Sequence, residues 1–310
     1  MALSDDRATM RTNIGTWGAW MGAFAVAPAE TLRPTATAVE AAGYGCIWYP
    51  EGMGTRESFT NASVILGATG RIMVASGIAN VWARDAVAAA AATRTLNDAH
   101  DDRFLLGLGV SHPPQVDPRG SVYLKPVAKM REYLAQLDEA TIESPDASAA
   151  DQVLPPIQCV IAALRPPMLE VARDLALGAH SYLVTAVHTA RARDILGADP
   201  LLVVEHKAII ETDPAVARER ARGAMAWYLG TENYVKNLLW LGFSEEDLQG
   251  GGSDRLIDAL VAHGDAETVA ARLREHLDAG ADHVAIQPLG DESDPTGIGI
   301  LERLGPLLIR

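Results

Sequence analysis

A (β/α)8 barrel is the fold class this sequence predicts, on three observations. Eight short apolar runs alternate with amphipathic helical stretches along 310 residues. The runs are nearly continuous in their apolar character, as in parallel strands covered by helices. No G-x-G-x-x-G turn follows the first run, where the chain reads WGAWMGAFAVAPAE, so the rival doubly wound sheet lacks its phosphate turn.

In order, the strands expected are Ile14–Trp20, Cys46–Pro50, Ile72–Ile78, Phe104–Val110, Ile157–Ala163, Ala179–Val184, Leu201–Ile209 and Val284–Pro288. Between them, Ala29–Ala42 reads as a helix stopped by Gly43 as a C′ glycine. Further helices are expected over Glu57–Thr69, Arg84–Ala99, Lys125–Ala140, Pro167–Leu177 and Thr189–Leu196. Asp213 and Pro214 supply an N-cap and an N1 proline ahead of AVARERARGAMAWYL. Asp265 caps AETVAARLREHLDAG, which closes at Gly280 before the last strand. Residues 1–310 read as one domain. Two segments exceed a minimal barrel: a polar surface connection over about 141–156, and a mobile loop over about 244–254 that contains Gly250, Gly251 and Gly252.

Composition narrows the chemistry. With 48% hydrophobic and 21% charged residues, the chain is an ordinary globular one. Its net charge of −14, from 26 basic and 40 acidic residues, argues against a nucleic-acid partner, which needs clustered cations. Cys46 and Cys159 sit in apolar surroundings and read as small buried hydrophobes, fitting a reducing cytoplasm. The N-terminus MALSDDRATMRTN has no apolar core for a signal peptide, and no run approaches a membrane span. The expectation is a cytoplasmic protein with a small-molecule substrate. Eight histidines form no H-x-H or H-E-x-x-H pattern, so no metal site is expected. A serine elbow and a GKT/S phosphate loop are also missing.

In a barrel, chemistry belongs at the C-terminal strand ends. Trp17 and Trp20 follow the first strand and either wall a site or cap the core. Glu51 closes the second, as a partly desolvated acid or a solvated loop residue. The third ends in Ser76, Gly77, Ile78, Ala79 and Asn80; the fourth in Gly109, Val110, Ser111 and His112. His112 is a proton carrier or a surface histidine before a turn. The fifth runs through Ala163 and Leu164 to Arg165, which joins a helix N-terminus in holding an anion or is an ordinary exposed cation. The sixth ends near Thr185. Glycines inside the fourth strand, Gly107 and Gly109, pack nothing and cost entropy, so something must approach that backbone closely.

The segments YGCIWYPEG, VASGIANVWARDAVAAAAATRTLND, RFLLGLGVSHPPQV, GSVYLKPVAKMREYL, GFSEEDLQGGGSDRLIDALVAHGD and AGADHVAIQPL carry a resemblance. The sequence resembles the bacterial luciferase-like superfamily, most closely its actinobacterial branch that depends on the deazaflavin coenzyme F420. The resemblance implies a (β/α)8 TIM barrel with insertions. It implies a non-prolyl cis peptide at Gly77–Ile78 behind the coenzyme ring, with Asn80 contacting the ring and Gly109 to His112 running beside it. It places Ala163, Leu164, Arg165 and Thr185 on the phosphate side, although some members carry Ser-Gly where this chain has Leu164 and Arg165. Gly107 and Gly109 would then let backbone approach the cofactor or admit bulky neighbours across the barrel.

Related sugar-phosphate dehydrogenases follow the acid matching Glu51 with a histidine and place a glutamate after strand four. Gly52 and His112 stand there instead, which argues against that activity. The resemblance therefore implies hydride transfer between coenzyme F420 and a small organic substrate, with Trp17 and Trp20 walling the site and Glu51 and His112 orienting substrate or moving protons. The alternatives are a flavin mononucleotide (FMN)-dependent monooxygenase and a non-catalytic flavin-binding relative. An acidic chain that binds an anionic coenzyme needs a local cationic patch, for which Arg56, Arg84, Lys125 and Arg165 are candidates. A homodimer through the helices after strands two and three is expected, as in many family members.

Overall fold

The structure, a computed structural model, describes residues 3–140 and 156–309. The expected surface connection over about 141–156 lies outside the described residues, apart from its last residue. Among the described residues the strands are β1 (Trp17–Trp20), β2 (Cys46–Tyr49), β3 (Met73–Ser76), β4 (Ala79–Asn80), β5 (Phe104–Gly109), β6 (Cys159–Ala162), β7 (Gly178–Ser181), β8 (Leu201–Ile210), β9 (Val261–Gly264) and β10 (His283–Pro288). The helices are α1 (Leu3–Ile14), α2 (Ala29–Ala41), α3 (Ser58–Leu66), α4 (Ala86–Ala99), α5 (Pro113–Val116), α6 (Pro126–Glu139), α7 (Pro166–Leu175), α8 (Ala186–Leu196), α9 (Pro214–Leu229), α10 (Glu232–Trp240), α11 (Asp254–Leu260), α12 (Ala266–Asp278) and α13 (Ile298–Leu308).

Eight strands pair in parallel in the order β10-β1-β2-β3-β5-β6-β7-β8, and pairing of β8 with β10 closes the ring. This is the (β/α)8 TIM barrel expected. The runs are continuously apolar because every residue of β1, β2, β3 and β5 is buried, against the barrel interior on one side and helices on the other. Inside the barrel a polar chain fixes one tautomer. Trp48 Nε1 donates to His283 Nε2 at 3.0 Å, and His283 Nδ1 donates to the Gly15 carbonyl at 2.7 Å.

Two short strands lie off the ring. β4 pairs with the end of β5, and β9 pairs with the end of β8. Strand β9 belongs to an insertion between β8 and α12 that also contains α9, α10 and α11. Asp213 and Asp265 cap α9 and α12 as expected, each accepting backbone N–H bonds. The segment of the expected 244–254 loop turns about Asp247, whose carboxylate accepts from Ser244 N at 2.9 Å and Ser253 Oγ at 2.6 Å.

The first strand begins at Trp17 rather than Ile14, because Ile14 ends α1 and Gly15 turns the chain at φ +65°. Apolar patterning does not reveal α1, since polar contacts hold it. Arg7 donates to the carbonyls of Arg173, Ala176 and Leu177 at 2.6, 2.8 and 3.1 Å, and pairs with Asp199 at 2.7 Å. The sixth strand also stops early, at Ser181, where the chain bends away through Leu183 at φ +58°. No helix of the described residues is long and apolar enough to cross a membrane.

Candidate functional site

A cavity of about 530 Å³ opens at the C-terminal ends of the strands. Its backbone-rich wall is Gly77–Ile78 after β3, Gly109 to Ser111 after β5, and Ala162 to Leu164 after β6. The Gly77–Ile78 peptide is cis, as the resemblance implied. Close approach of backbone explains the glycines of β5. A Cβ on Gly107 would lie 1.9 Å from the Ser76 carbonyl oxygen, and one on Gly109 would lie 2.3 Å from Ile78 Cδ1. Neighbours from the end of β3, inside the protein itself, account for both positions. Trp82 Nε1 donates to the Val110 carbonyl at 2.9 Å and fixes the rest of this wall.

Several expected site residues are brought together here: Trp20, Glu51, Gly77, Ile78, Gly109, Val110, Ser111, His112, Ala163, Leu164 and Arg165 all line the cavity. Four others are not. Trp17 opens β1, at the end of the strand away from the cavity, and is buried. Ser76 turns its hydroxyl into the wall, donating to Gly107 O at 2.8 Å and accepting from Gly107 N at 2.9 Å. Asn80 spends its side-chain oxygen on Trp82 N at 3.0 Å. Thr185 caps α8, accepting from His188 N at 3.3 Å. Ser76, Asn80 and Thr185 do local structural work that sequence position alone does not reveal.

Glu51 reaches the cavity wall with its carboxylate already engaged. One oxygen accepts from Asn80 N at 2.7 Å and Arg84 Nη1 at 3.0 Å, and the other from Arg84 Nη2. Arg84 also pairs with Glu57 at 2.9 Å. The carboxylate thus braces β4 rather than standing free as a proton carrier, and Arg84 is removed from the expected cationic patch. Arg56 is exposed, donates to the Ala27 carbonyl at 2.5 Å and stands outside the cavity lining. Lys125 is exposed and stands at the start of α6. Arg165 lines the cavity at the start of α7 and donates to Asn233 Oδ1 at 2.9 Å.

His112 precedes α5 with its ring between Trp227 and Tyr234, at centroid distances of 5.6 and 5.1 Å. Burial lowers its pKa from 6.5 to about 4, so it is a neutral imidazole at physiological pH. His180, on the cavity floor edge-on to Trp48 at 4.8 Å, is fully buried and held to about 3 by burial and by His283.

The other wall is aromatic, and most of it escaped the sequence reading. Trp20 packs on Tyr182 at 5.1 Å, Tyr182 on Tyr228 at 5.4 Å, and Tyr228 on Tyr234 at 5.1 Å, continuing to His112. Tyr182 donates to Gln287 Oε1 at 2.8 Å, and the Tyr182 and Tyr228 hydroxyls lie 2.7 Å apart. Beneath these rings lies Lys207, only 1% exposed and 3.1 Å from Glu205, which is itself sealed. Its ammonium sits 4.2 Å from the Tyr182 ring centroid and 5.2 Å from that of Tyr228. Burial lowers the Lys207 pKa, and Glu205 opposes that shift. Trp227, Tyr228 and Tyr234 come from the inserted α9 and α10. Their signal was the aromatic cluster in AWYLGTENY, in a chain that is 5% aromatic.

A sequence model of the luciferase-like monooxygenase family matches residues 10–283. A Mycobacterium tuberculosis protein named "putative coenzyme F420-dependent oxidoreductase" is 30% identical over 122 residues, which cover 39% of this chain and 33% of that protein. The 5,10-methylenetetrahydromethanopterin reductase of Methanolobus tindarius is 23% identical over 304 residues, 86% of this chain and 93% of the relative. Among solved structures, the coenzyme F420-dependent tetrahydromethanopterin reductase of Methanopyrus kandleri superposes with a TM-score of 0.70 at 16% identity, covering 94% of this chain and 97% of that one.

Proposed function

The chain belongs to the luciferase-like monooxygenase family, and on that premise we propose that it is a coenzyme F420-dependent oxidoreductase acting on a small organic substrate. One observation carries the fit of an anionic coenzyme. Helices α6 and α7 both begin at the cavity with a proline and no side-chain cap, and the residues before them are the cations Lys125 and Arg165. A cation at a helix N-terminus opposes the helix dipole by about 0.3–1 kcal/mol. An anion at that place reverses the sign of the arrangement and uses the free N–H groups. By contrast, α8 and α12 satisfy their own N-termini through Thr185 and Asp265.

Arg165, Lys125 and the first turn of α7 are the groups suited to the coenzyme phosphate. The wall of Gly77, Ile78 and Gly109 to Ser111 is suited to a flat ring, since backbone and short side chains stand there. When bound, coenzyme F420 supplies two-electron hydride chemistry. His112, neutral above about pH 4, offers a ring N–H to a substrate oxygen and polarises it without carrying charge. Trp20, Tyr182 and Tyr234 exclude water from the same space. The choice of F420 over FMN draws on the Mycobacterium tuberculosis relative, whose name carries that coenzyme.

The test is anaerobic incubation of the protein with reduced coenzyme F420 and a panel of ketones, aldehydes and enones. Oxidation of the coenzyme matched by reduced product is expected. Consumption of oxygen with reduced FMN, and no turnover with F420, would overturn the reading.

A further inference from the structure

The aromatic wall carries no unbalanced formal charge. Lys207 and Glu205 cancel at 3.1 Å beneath it, Glu51 is paired with Arg84, and His112 and His180 are neutral. An anionic substrate entering here would lose its hydration for no countercharge other than Arg165, which the reading above gives to the coenzyme phosphate. A cationic substrate would ordinarily be drawn to tyrosine faces. Here the Lys207 ammonium, balanced by Glu205, already occupies one face of Tyr182 and approaches that of Tyr228, so these rings are already polarised toward one cation and have less to offer a second. The groups at the cavity with an N–H to offer are the Trp20 indole and the neutral His112 and His180 rings, both ring nitrogens of His180 being without a partner. Trp20 Nε1 is buried with no hydrogen-bond partner, and an indole nitrogen can only donate. The His112 ring stands between aromatic rings and has an N–H to offer.

We infer that this wall selects an uncharged, ring-sized substrate presenting one hydrogen-bond-accepting oxygen, such as an aryl or cyclic ketone, and that Lys207 is the specificity-determining residue that keeps cations out. The inference rests on the coenzyme assignment above only for the role of Arg165. Lys207 touches no substrate; it acts through the rings of Tyr182 and Tyr228.

The experiment is calorimetric titration of a matched series: acetophenone, para-acetylbenzoate and the para-trimethylammonium ketone. Each is titrated into the whole protein, with and without saturating oxidised coenzyme F420. The neutral ketone is expected to bind at least about tenfold more tightly than either ion. Lys207→Met leaves Glu205 unbalanced and should shift the cation-to-neutral affinity ratio upward by about tenfold or more. Should that variant not fold, the double variant Glu205→Gln/Lys207→Met keeps the pair neutral and frees the ring faces; it should still raise the ratio, by about threefold. Equal or tighter binding of the cation in either condition, or of the anion with coenzyme F420 bound, overturns the inference, as does no binding of the neutral ketone at millimolar concentration. An unchanged ratio in the double variant overturns the role of Lys207. Coenzyme F420 titrated alone reports separately: if it fails to bind while the neutral ketone still outranks both ions, the coenzyme assignment falls and the selectivity stands.

Discussion

Arg84 grips both carboxylate oxygens of Glu51, and the pair is nearly sealed, with side chains 13% and 4% exposed. Glu51 in turn holds the Asn80 N–H, so one ion pair ties the β2 end to the wall that follows β3. Removing one partner of a buried pair strands the other charge, which costs about 3–5 kcal/mol. Arg84→Ala should therefore lose about that much in urea denaturation. A loss below about 1 kcal/mol would show that the pair is effectively solvated.

Acid should weaken the fold through its buried histidines. Burial holds His112, His188 and His283 at about 4, and His180 and His276 at about 3, all below their ordinary 6.5. As pH falls, the unfolded chain binds protons first, so stability is complete above about 6.5 and is lost between there and about 3. The urea midpoint should drop steadily between neutral pH and pH 5. A flat or rising midpoint over that window contradicts these burial-driven shifts.

The two glycines of β5 should differ in their tolerance. Alanine at Gly107 drives a methyl onto the Ser76 backbone oxygen, which cannot swing away, whereas at Gly109 it meets the end of the Ile78 side chain. Gly107→Ala should cost about 3 kcal/mol or more and Gly109→Ala about 1–2 kcal/mol. Equal costs in chemical denaturation would contradict backbone contact as the reason for Gly107.

The barrel was legible because its eight strands carry continuous apolar runs and its helices carry Gly43, Asp213 and Asp265 as punctuation. Two classes of feature were not. Helix α1 docks through Arg7 rather than through an apolar stripe, and β9 is a short strand within an insertion. The site was half legible. Strand ends pointed to Trp20, Glu51, Gly77, Ile78 and His112, but position does not tell a free carboxylate from one already held by Arg84. Nor does it tell an open Asn80 from one turned onto its own backbone. Tyr182, Tyr228 and Lys207 meet only when the insertion folds over the barrel, a contact between residues 21 to 46 apart that no local pattern records.

Helix α1 supplies a test of that docking. Arg7→Ala frees three carbonyl oxygens, of which those of Ala176 and Leu177 are bonded through buried contacts. Leaving such groups unsatisfied costs about 1–3 kcal/mol. Hydrogen exchange should accelerate in residues 3–14 and around 173–177 while β2 and β3 stay protected. Unchanged exchange in both segments would contradict the clasp.

The most direct test of the central claim is equilibrium binding of oxidised coenzyme F420 and of FMN to the purified protein, followed by fluorescence at moderate salt, alongside Arg165→Gln. Coenzyme F420 should bind at micromolar concentration or tighter, ahead of FMN, and Arg165→Gln should weaken it by about tenfold. Tighter binding of FMN, or no binding of either, would contradict the assignment.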